Sequence, residues 1–163
     1  WFVSNLPYNI GVPILIKFMQ NTNIHFMSLM FQKEVGLKII PETSSKKGMG
    51  SLHALCTNFF NCKLLLNVPP SSFSPPPKVD SVVISMDKKE NNIIPLAKFK
   101  HFEKFLRNIF QFKRKQCFKI LKMSYSESDI LSSLKELNIL PTSRAETFNL
   151  KTIQQLFTLL EKE

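Results

Sequence analysis

Acidic residues are scarce in this chain: 12 Asp or Glu stand against 22 Lys or Arg in 163 residues, a formal net charge of +10. That imbalance points to a polyanionic partner such as nucleic acid. Cysteine is scarce as well. Cys56, Cys62 and Cys117 form no CxxC pair and no even set, which argues against a disulfide framework and for reduced thiols in a cytoplasmic location. Of four glycines, Gly48 and Gly50 make a bare G-x-G with no preceding strand and no third glycine, so they read as loop punctuation and not a nucleotide fingerprint. No apolar run approaches the ~20 residues of a membrane span, so no membrane partner is expected. His53 and Cys56 share a helix face without two further ligands, and no metal site is expected. No spacing supports a Ser-His-Asp or Cys-His nucleophile, and no repeat is present.

Apolar residues are plentiful: they make up 44% of the chain, with 15 Phe, enough for a sizeable core. The chain opens at Trp1, inside what reads as a buried strand. Termini usually lie at the surface, so the expectation is a fragment whose upstream half lies outside it.

Local patterns alternate between strand and helix as far as residue 90. The apolar start breaks at Asn5-Leu6-Pro7-Tyr8, where a loop begins. Val12 to Gln20 carries Ile14, Leu15, Phe18 and Met19 at helical spacing, with Pro13 tolerable in the first turn. Ile24 to Phe31 is a near-continuous apolar run, read as a strand buried on both faces, with His25 a core histidine. Glu34 to Ile40 fits a short helix and Pro41 to Gly50 a mobile loop. Ser51 to Phe60 reads as a helix and Lys63 to Val68 as a strand. The proline cluster Pro69 to Pro77 can be neither helix nor interior strand. Val79 to Met86 alternates and fits a strand running back along its neighbour. This is half of an α/β sheet ending in an antiparallel pair.

Beyond the polar stretch Asp87 to Pro95 the pattern is helical. Phe99, Phe102, Phe105, Leu106, Ile109 and Phe110 form one apolar face, and a second helix is expected over Arg114 to Lys122. Ser126 with Asp129 three residues on caps a helix through Leu137, and Asn149 caps a last one, Leu150 to Leu160. Residues 98 to 122 carry nine Lys or Arg against one acid, Glu103, so eight of the ten net charges sit there. Two domains are expected, residues 1–90 and 91–163.

Several stretches together resemble one family. Asn5-Leu-Pro-Tyr-Asn-Ile10 and Val68-Pro-Pro-Ser-Ser-Phe-Ser-Pro-Pro-Pro-Lys-Val-Asp-Ser81 resemble signatures of the ribosomal RNA adenine N6,N6-dimethyltransferases. Phe31-Gln-Lys-Glu-Val35, Phe110-Gln-Phe-Lys-Arg-Lys115 and Arg144-Ala-Glu146 agree in order and spacing. The resemblance covers essentially the whole chain. It implies the second half of a Rossmann-like methyltransferase sheet, strands four to seven, followed by a small all-α RNA-recognition domain.

The resemblance also implies roles. An adenine N6 amine is a poor nucleophile because its lone pair is delocalised into the ring. Two carbonyl acceptors on its hydrogens favour a pyramidal nitrogen aimed at a sulfonium methyl, which is positioning and electrostatics without a strong base. Asn5 would offer one acceptor. The main chain of Leu6 or Pro7 would offer the other, and the family favours Pro7. Tyr8 would stack on the flipped base with Phe73 closing the other side. The cofactor implied is S-adenosylmethionine, touched here by Asn5 and Leu6 only. The usual glycine-rich loop after the first strand and the acid ending the second are not in this sequence. RNA contacts are implied for Lys78, Lys113, Arg114, Lys115, Lys119 and Lys122. Lys113 and Lys119 stand where the family usually has Arg and lose its bidentate fork. Ser51 likewise stands where Arg is common. Glu34, Asp80 and Glu146 are read as structural pairs.

The expectation is therefore part of a cytoplasmic, monomeric enzyme that dimethylates two adjacent adenosines of small-subunit ribosomal RNA during ribosome biogenesis, inactive as the 163 residues alone. Two alternatives stand beside it: a non-catalytic RNA-binding module for ribosome assembly, and a relative that methylates large-subunit RNA.

Overall fold

The computed structural model describes residues 1–40, 49–112 and 114–161. Its elements run β1 (Phe2–Asn5), α1 (Gly11–Met19), β2 (Phe26–Gln32), α2 (Lys33–Gly36), α3 (Ser51–Phe59), β3 (Phe60–Val68), β4 (Ser81–Lys88), α4 (Phe99–Phe110), α5 (Cys117–Leu121), α6 (Glu127–Glu136) and α7 (Leu150–Leu160). Contacts divide the chain into two units, Trp1–Ser45 with Phe59–Asn92, and Lys46–Asn58 with Ile93–Glu163. The break at Asn92 lies close to the expected one. Lys46–Asn58, however, groups with the helical segment and not with the sheet. Most of the loop expected over Pro41 to Gly50 lies outside the described residues.

In the first unit the strand order is β1-β2-β4-β3. β1 and β2 are parallel, and β4 runs antiparallel to both β2 and β3. Thus β4 is inserted between its two predecessors and is not simply folded back along one. One sheet face carries Phe2, then Met27, Leu29 and Phe31, then Met86, Ile84 and Val82 in register. Helix α1 covers it with Leu15 and Met19, and its Phe18 ring meets Phe2 at 4.2 Å. Burying each such Leu, Met or Phe is worth roughly 1.5–3 kcal/mol. Helix α2 comes so close that a Cβ on Gly36 would lie 2.1 Å from Val82 Cγ2, so this position demands glycine.

Two expectations are corrected here. β2 is not buried on both faces: Met27, Leu29 and Phe31 are buried, while Phe26, Ser28, Met30 and Gln32 are only half-buried. The reason is that α1 and α2 pack on the face that carries Met27, Leu29 and Phe31. His25 is not a core histidine. It is exposed just before β2 begins, and its carbonyl accepts from the Lys88 N–H at 2.8 Å. β3, an edge strand, slips register between Leu64 and Leu66, leaving Leu64, Leu65 and Leu66 about half exposed. The proline stretch joins β3 to β4 through a 3₁₀ turn at Pro70–Ser72 and a cis Ser74–Pro75 bond.

In the second unit the regular elements described between residues 93 and 161 are α4–α7 and two 3₁₀ turns. α4 buries Phe99, Phe102, Phe105, Leu106 and Ile109. Phe102 and Phe105 meet Phe157 of α7 edge-on, with ring centroids 5.0 and 5.3 Å apart. The caps fall where expected: Ser126 Oγ accepts from the Asp129 N–H, and Asn149 Oδ1 from the Thr152 N–H. α6 ends on Asn138 at φ 54°, with Ile139 N–H bonded to Leu134 O, a left-handed stop that Asn tolerates. The expected helix Arg114 to Lys122 is shorter, Cys117–Leu121. Gln116 is extended, and the Cys117 N–H turns to Ser143 O at 2.8 Å. Buried Asn58 explains why α3 belongs here. It donates to Ile94 O at 3.0 Å and accepts from Ile94 N–H at 3.3 Å and Gln154 Nε2 at 2.8 Å.

Candidate functional site

Three strand ends meet in the sheet unit. β1 ends at Asn5, beside Met30 of the parallel β2, and the chain turns at once, with the Ile10 N–H donating to Pro7 O at 3.2 Å. A carbonyl has two lone pairs, so Pro7 O keeps one for another donor. β2 ends at Gln32, whose partner across the ladder is Ser81, the first residue of β4. The Lys33 N–H then donates to Asp80 O at 2.9 Å, and Lys33 Nζ lies 3.7 Å from the Asp80 carboxylate.

Tyr8 ties these ends together. Its hydroxyl lies 2.7 Å from Ser81 Oγ, and Ser81 is fully buried. The ring is half-buried, so Tyr8 is neither a core residue nor a free one. Beside it a shallow concavity is lined by Leu6, Pro7, Tyr8, Gly11, Val12, Phe31, Gln32 and Val35. Ligands in open α/β sheets bind at the carboxyl ends of parallel strands, which is where this hollow lies. Its chemistry is an aromatic plate, a free carbonyl lone pair and the Gln32 amide against an apolar floor.

The expected site residues are distributed unevenly over this geometry. Leu6, Pro7 and Tyr8 come together at the hollow. Asn5 is exposed at the strand end next to them, and Phe73 is half-buried in the proline loop; neither is among the lining residues. Lys78 is exposed in that loop. Sequence reasoning missed Ser81 and Gln32, polar residues that begin β4 and end β2 within stretches already singled out. Glu34 pairs with Lys38 at 2.7 Å and Asp80 with Lys33, both solvent-exposed. Glu146 is half-buried, and its carbonyl accepts from the Met49 N–H.

In the helical unit Arg114, Lys115, Lys119 and Lys122 are all exposed, and Lys113 lies outside the described residues. Lys115 Nζ stands 4.4 Å above the Phe112 ring. Lys122 Nζ is 5.6 Å from the Phe118 ring centre and 2.6 Å from Glu127, a pairing the sequence spacing did not reveal. Two of the thiols, Cys62 and Cys117, are held in the protonated form, which is the less nucleophilic one. Burial pushes Cys117 up to about 12; burial also pushes Cys62 up to about 12, with nearby Lys89 opposing and Asp87 adding. Burial, and then a hydrogen bond to Glu161, raise Tyr125 as well. Among the described residues no three His, Cys, Asp or Glu side chains are grouped to hold a metal, and no helix is long and apolar enough to cross a membrane.

Comparison with known proteins gives a consistent picture. The profile of a family described as ribosomal RNA adenine dimethylase matches residues 1–162. Ribosomal RNA small subunit methyltransferase A of Aster yellows witches'-broom phytoplasma (strain AYWB) is 35% identical over 156 residues, covering 94% of this chain and 57% of its own length. The protein of that name from Clostridium perfringens (strain SM101 / Type A) is 31% identical, with 98% and 56% covered. The chain thus spans little more than half the length of these curated relatives. Among solved structures, a dimethyladenosine transferase from Plasmodium falciparum superposes with a TM-score of 0.79 at 25% identity, covering 94% of this chain and 65% of that one. The 23S rRNA methyltransferase ErmE shares the fold, with a TM-score of 0.69 at 19% identity over 99% of this chain and 65% of that one.

Proposed function

The chain belongs to the ribosomal RNA adenine dimethylase family, and from that premise we propose that it is part of an enzyme dimethylating N6 of two adjacent adenosines in small-subunit ribosomal RNA. The observation that carries this reading is the Asn5-Leu6-Pro7-Tyr8 turn at the end of a parallel strand, with Tyr8 tethered to buried Ser81. The tether fixes the ring at the edge of the hollow, where an extruded adenine can stack. Asn5 Oδ1 and the spare lone pair of Pro7 O accept the two N6 hydrogens and hold the nitrogen pyramidal. Phe73 closes over the opposite face of the base.

S-adenosylmethionine, when bound, supplies the methyl group as a sulfonium. Exposed Asn5 and the Leu6 main chain fit the rim of such a site, because they sit at the carboxyl end of β1. This sequence holds no glycine-rich strand-to-helix loop for the remainder of the cofactor, so the 163 residues alone are proposed to be inactive. In the Rossmann-like scheme β1, β2, β3 and β4 take the places of strands four, five, six and seven. The helical unit is the RNA-recognition part, with Arg114, Lys115, Lys119 and Lys122 contacting phosphate; Lys113, and Lys78 of the sheet unit, are read as further RNA contacts from the family resemblance. The reading includes a cytoplasmic monomer engaged in ribosome biogenesis.

In the complete enzyme, Asn5→Ala is expected to abolish methyl transfer to small-subunit RNA while RNA affinity survives. Loss of RNA binding instead would make Asn5 structural. Calorimetry of the 163-residue chain with S-adenosylmethionine tests the inactivity claim, which micromolar binding would sink. The second reading is a non-catalytic RNA-binding module, for which the exposed cations Arg114, Lys115 and Lys119 of the helical unit would suffice. Primer extension on both ribosomal RNAs from a deletion strain separates these readings: loss of the small-subunit signal supports the enzyme, and an unchanged signal supports the module.

A further inference from the structure

We propose that the outward face of α4 is a second phosphate-binding track for duplex RNA, formed by Lys100, Lys104 and Arg107, an inference that rests on the RNA-binding reading of the helical unit. All three side chains are exposed, and the opposite side of the same helix buries Phe99, Phe102, Phe105, Leu106 and Ile109. At about 1.5 Å rise and 3.6 residues per turn, the cations lie about 6 and 4.5 Å apart along the axis, within roughly 60° of arc. They form one straight row.

The balance of charge on this helix points outward. Its single acid, Glu103, is bonded to Arg107, yet the Glu103 side chain is only 16% exposed against 73% for Arg107. The guanidinium therefore still faces solvent. Lys100 and Lys104 have no acidic partner among the described residues, although like charges four residues apart repel on a helix. No acid stands in the first turn, where the macrodipole disfavours the Lys100 cation and favours an anion. A row of phosphates along the face relieves both conflicts.

The same face identifies the kind of polyanion. Gln111 continues the strip and exposed His101 flanks it, so the surface is polar throughout. It has no aromatic plate on which unpaired bases would stack and no apolar side chain to enter a bilayer. A double-stranded backbone, recognised by shape and phosphate, is what remains.

The test is the salt dependence of binding of a blunt RNA duplex to the 163-residue chain, followed by anisotropy. Lys100→Gln/Lys104→Gln/Arg107→Gln is compared with wild type and with Arg114→Gln/Lys115→Gln/Lys119→Gln. The α4 triple variant is expected to lower the slope of log affinity against log salt by about 2–3, at roughly 0.9 per phosphate contact. Lys104→Gln alone should lower it by about one, which keeps the test intact should the triple variant fold poorly. An unchanged slope for the α4 variants beside a reduced slope for the Arg114 set overturns this inference and leaves the RNA reading standing. No salt-dependent RNA binding by wild type overturns both. Tighter binding to phosphatidylserine vesicles than to the duplex also overturns the track.

Discussion

The Tyr8 hydroxyl lies 2.7 Å from Ser81 Oγ, joining a loop and a strand 73 residues apart. Ser81 is fully buried and Tyr8 only half-buried, so the two ends of this bond differ in what their loss costs. Tyr8→Phe strands a buried hydroxyl and is expected to cost about 1–3 kcal/mol, whereas Ser81→Ala leaves a tyrosine that can reach water and costs about 0.5–1.5 kcal/mol. Urea denaturation of both single variants and the double variant checks this. The double variant should lose less than the sum, and strict additivity would mean the bond does not form.

Gly36 is held by steric space alone. Gly36→Ala is expected to destabilise the chain by about 1–3 kcal/mol through overpacking, because its Cβ would lie 2.1 Å from Val82 Cγ2. Combining it with Val82→Ala, which opens that space, should cost less than the two changes separately. Thermal unfolding of the three variants reads the coupling.

Cys117 makes stability depend on alkaline pH. Burial raises its thiol from 9.0 to about 12 in the folded chain, so the native state keeps a proton that the unfolded chain releases above pH 9. This contribution is complete below pH 9 and is lost as pH rises toward 12. The urea midpoint should fall from pH 8.5 to 10.5, to the degree of about two pH-dependent protons, because burial raises Cys62 to about 12 as well. Cys117→Ala should flatten the decline, and an identical decline in the variant would contradict it.

The lysines of the helical unit are not equivalent. Arg114→Gln and Lys119→Gln should each lower the salt slope of RNA binding by about one, as for any lost phosphate contact. Lys122→Gln should lower it by less, since that ammonium is 2.6 Å from the Glu127 carboxylate. Glu127→Gln should tighten RNA binding by releasing it. Anisotropy titrations at three salt concentrations distinguish the set.

Local chemistry was legible before any coordinates. Ser126 and Asn149 cap helices because each needs only a backbone N–H three residues away. The apolar face of α4 and the strand-breaking proline stretch are equally local, since period and ring geometry act within a few residues. The turn at Asn5-Leu6-Pro7-Tyr8 was legible for the same reason, whereas the chemistry proposed for it came from the family resemblance. Only tertiary structure decided what lies far apart in sequence. A strand's alternation does not say which neighbour it pairs with, so the insertion of β4 between β2 and β3 was hidden, and with it the contact of Ser81 with Tyr8. An apolar stretch does not say how many of its faces will be covered, hence the misplacement of His25 and the half-open β2. Nor does a helix of ordinary pattern declare its unit. The Asn58 side chain assigned α3, through bonds to Ile94 and Gln154 that only a folded chain can bring within reach.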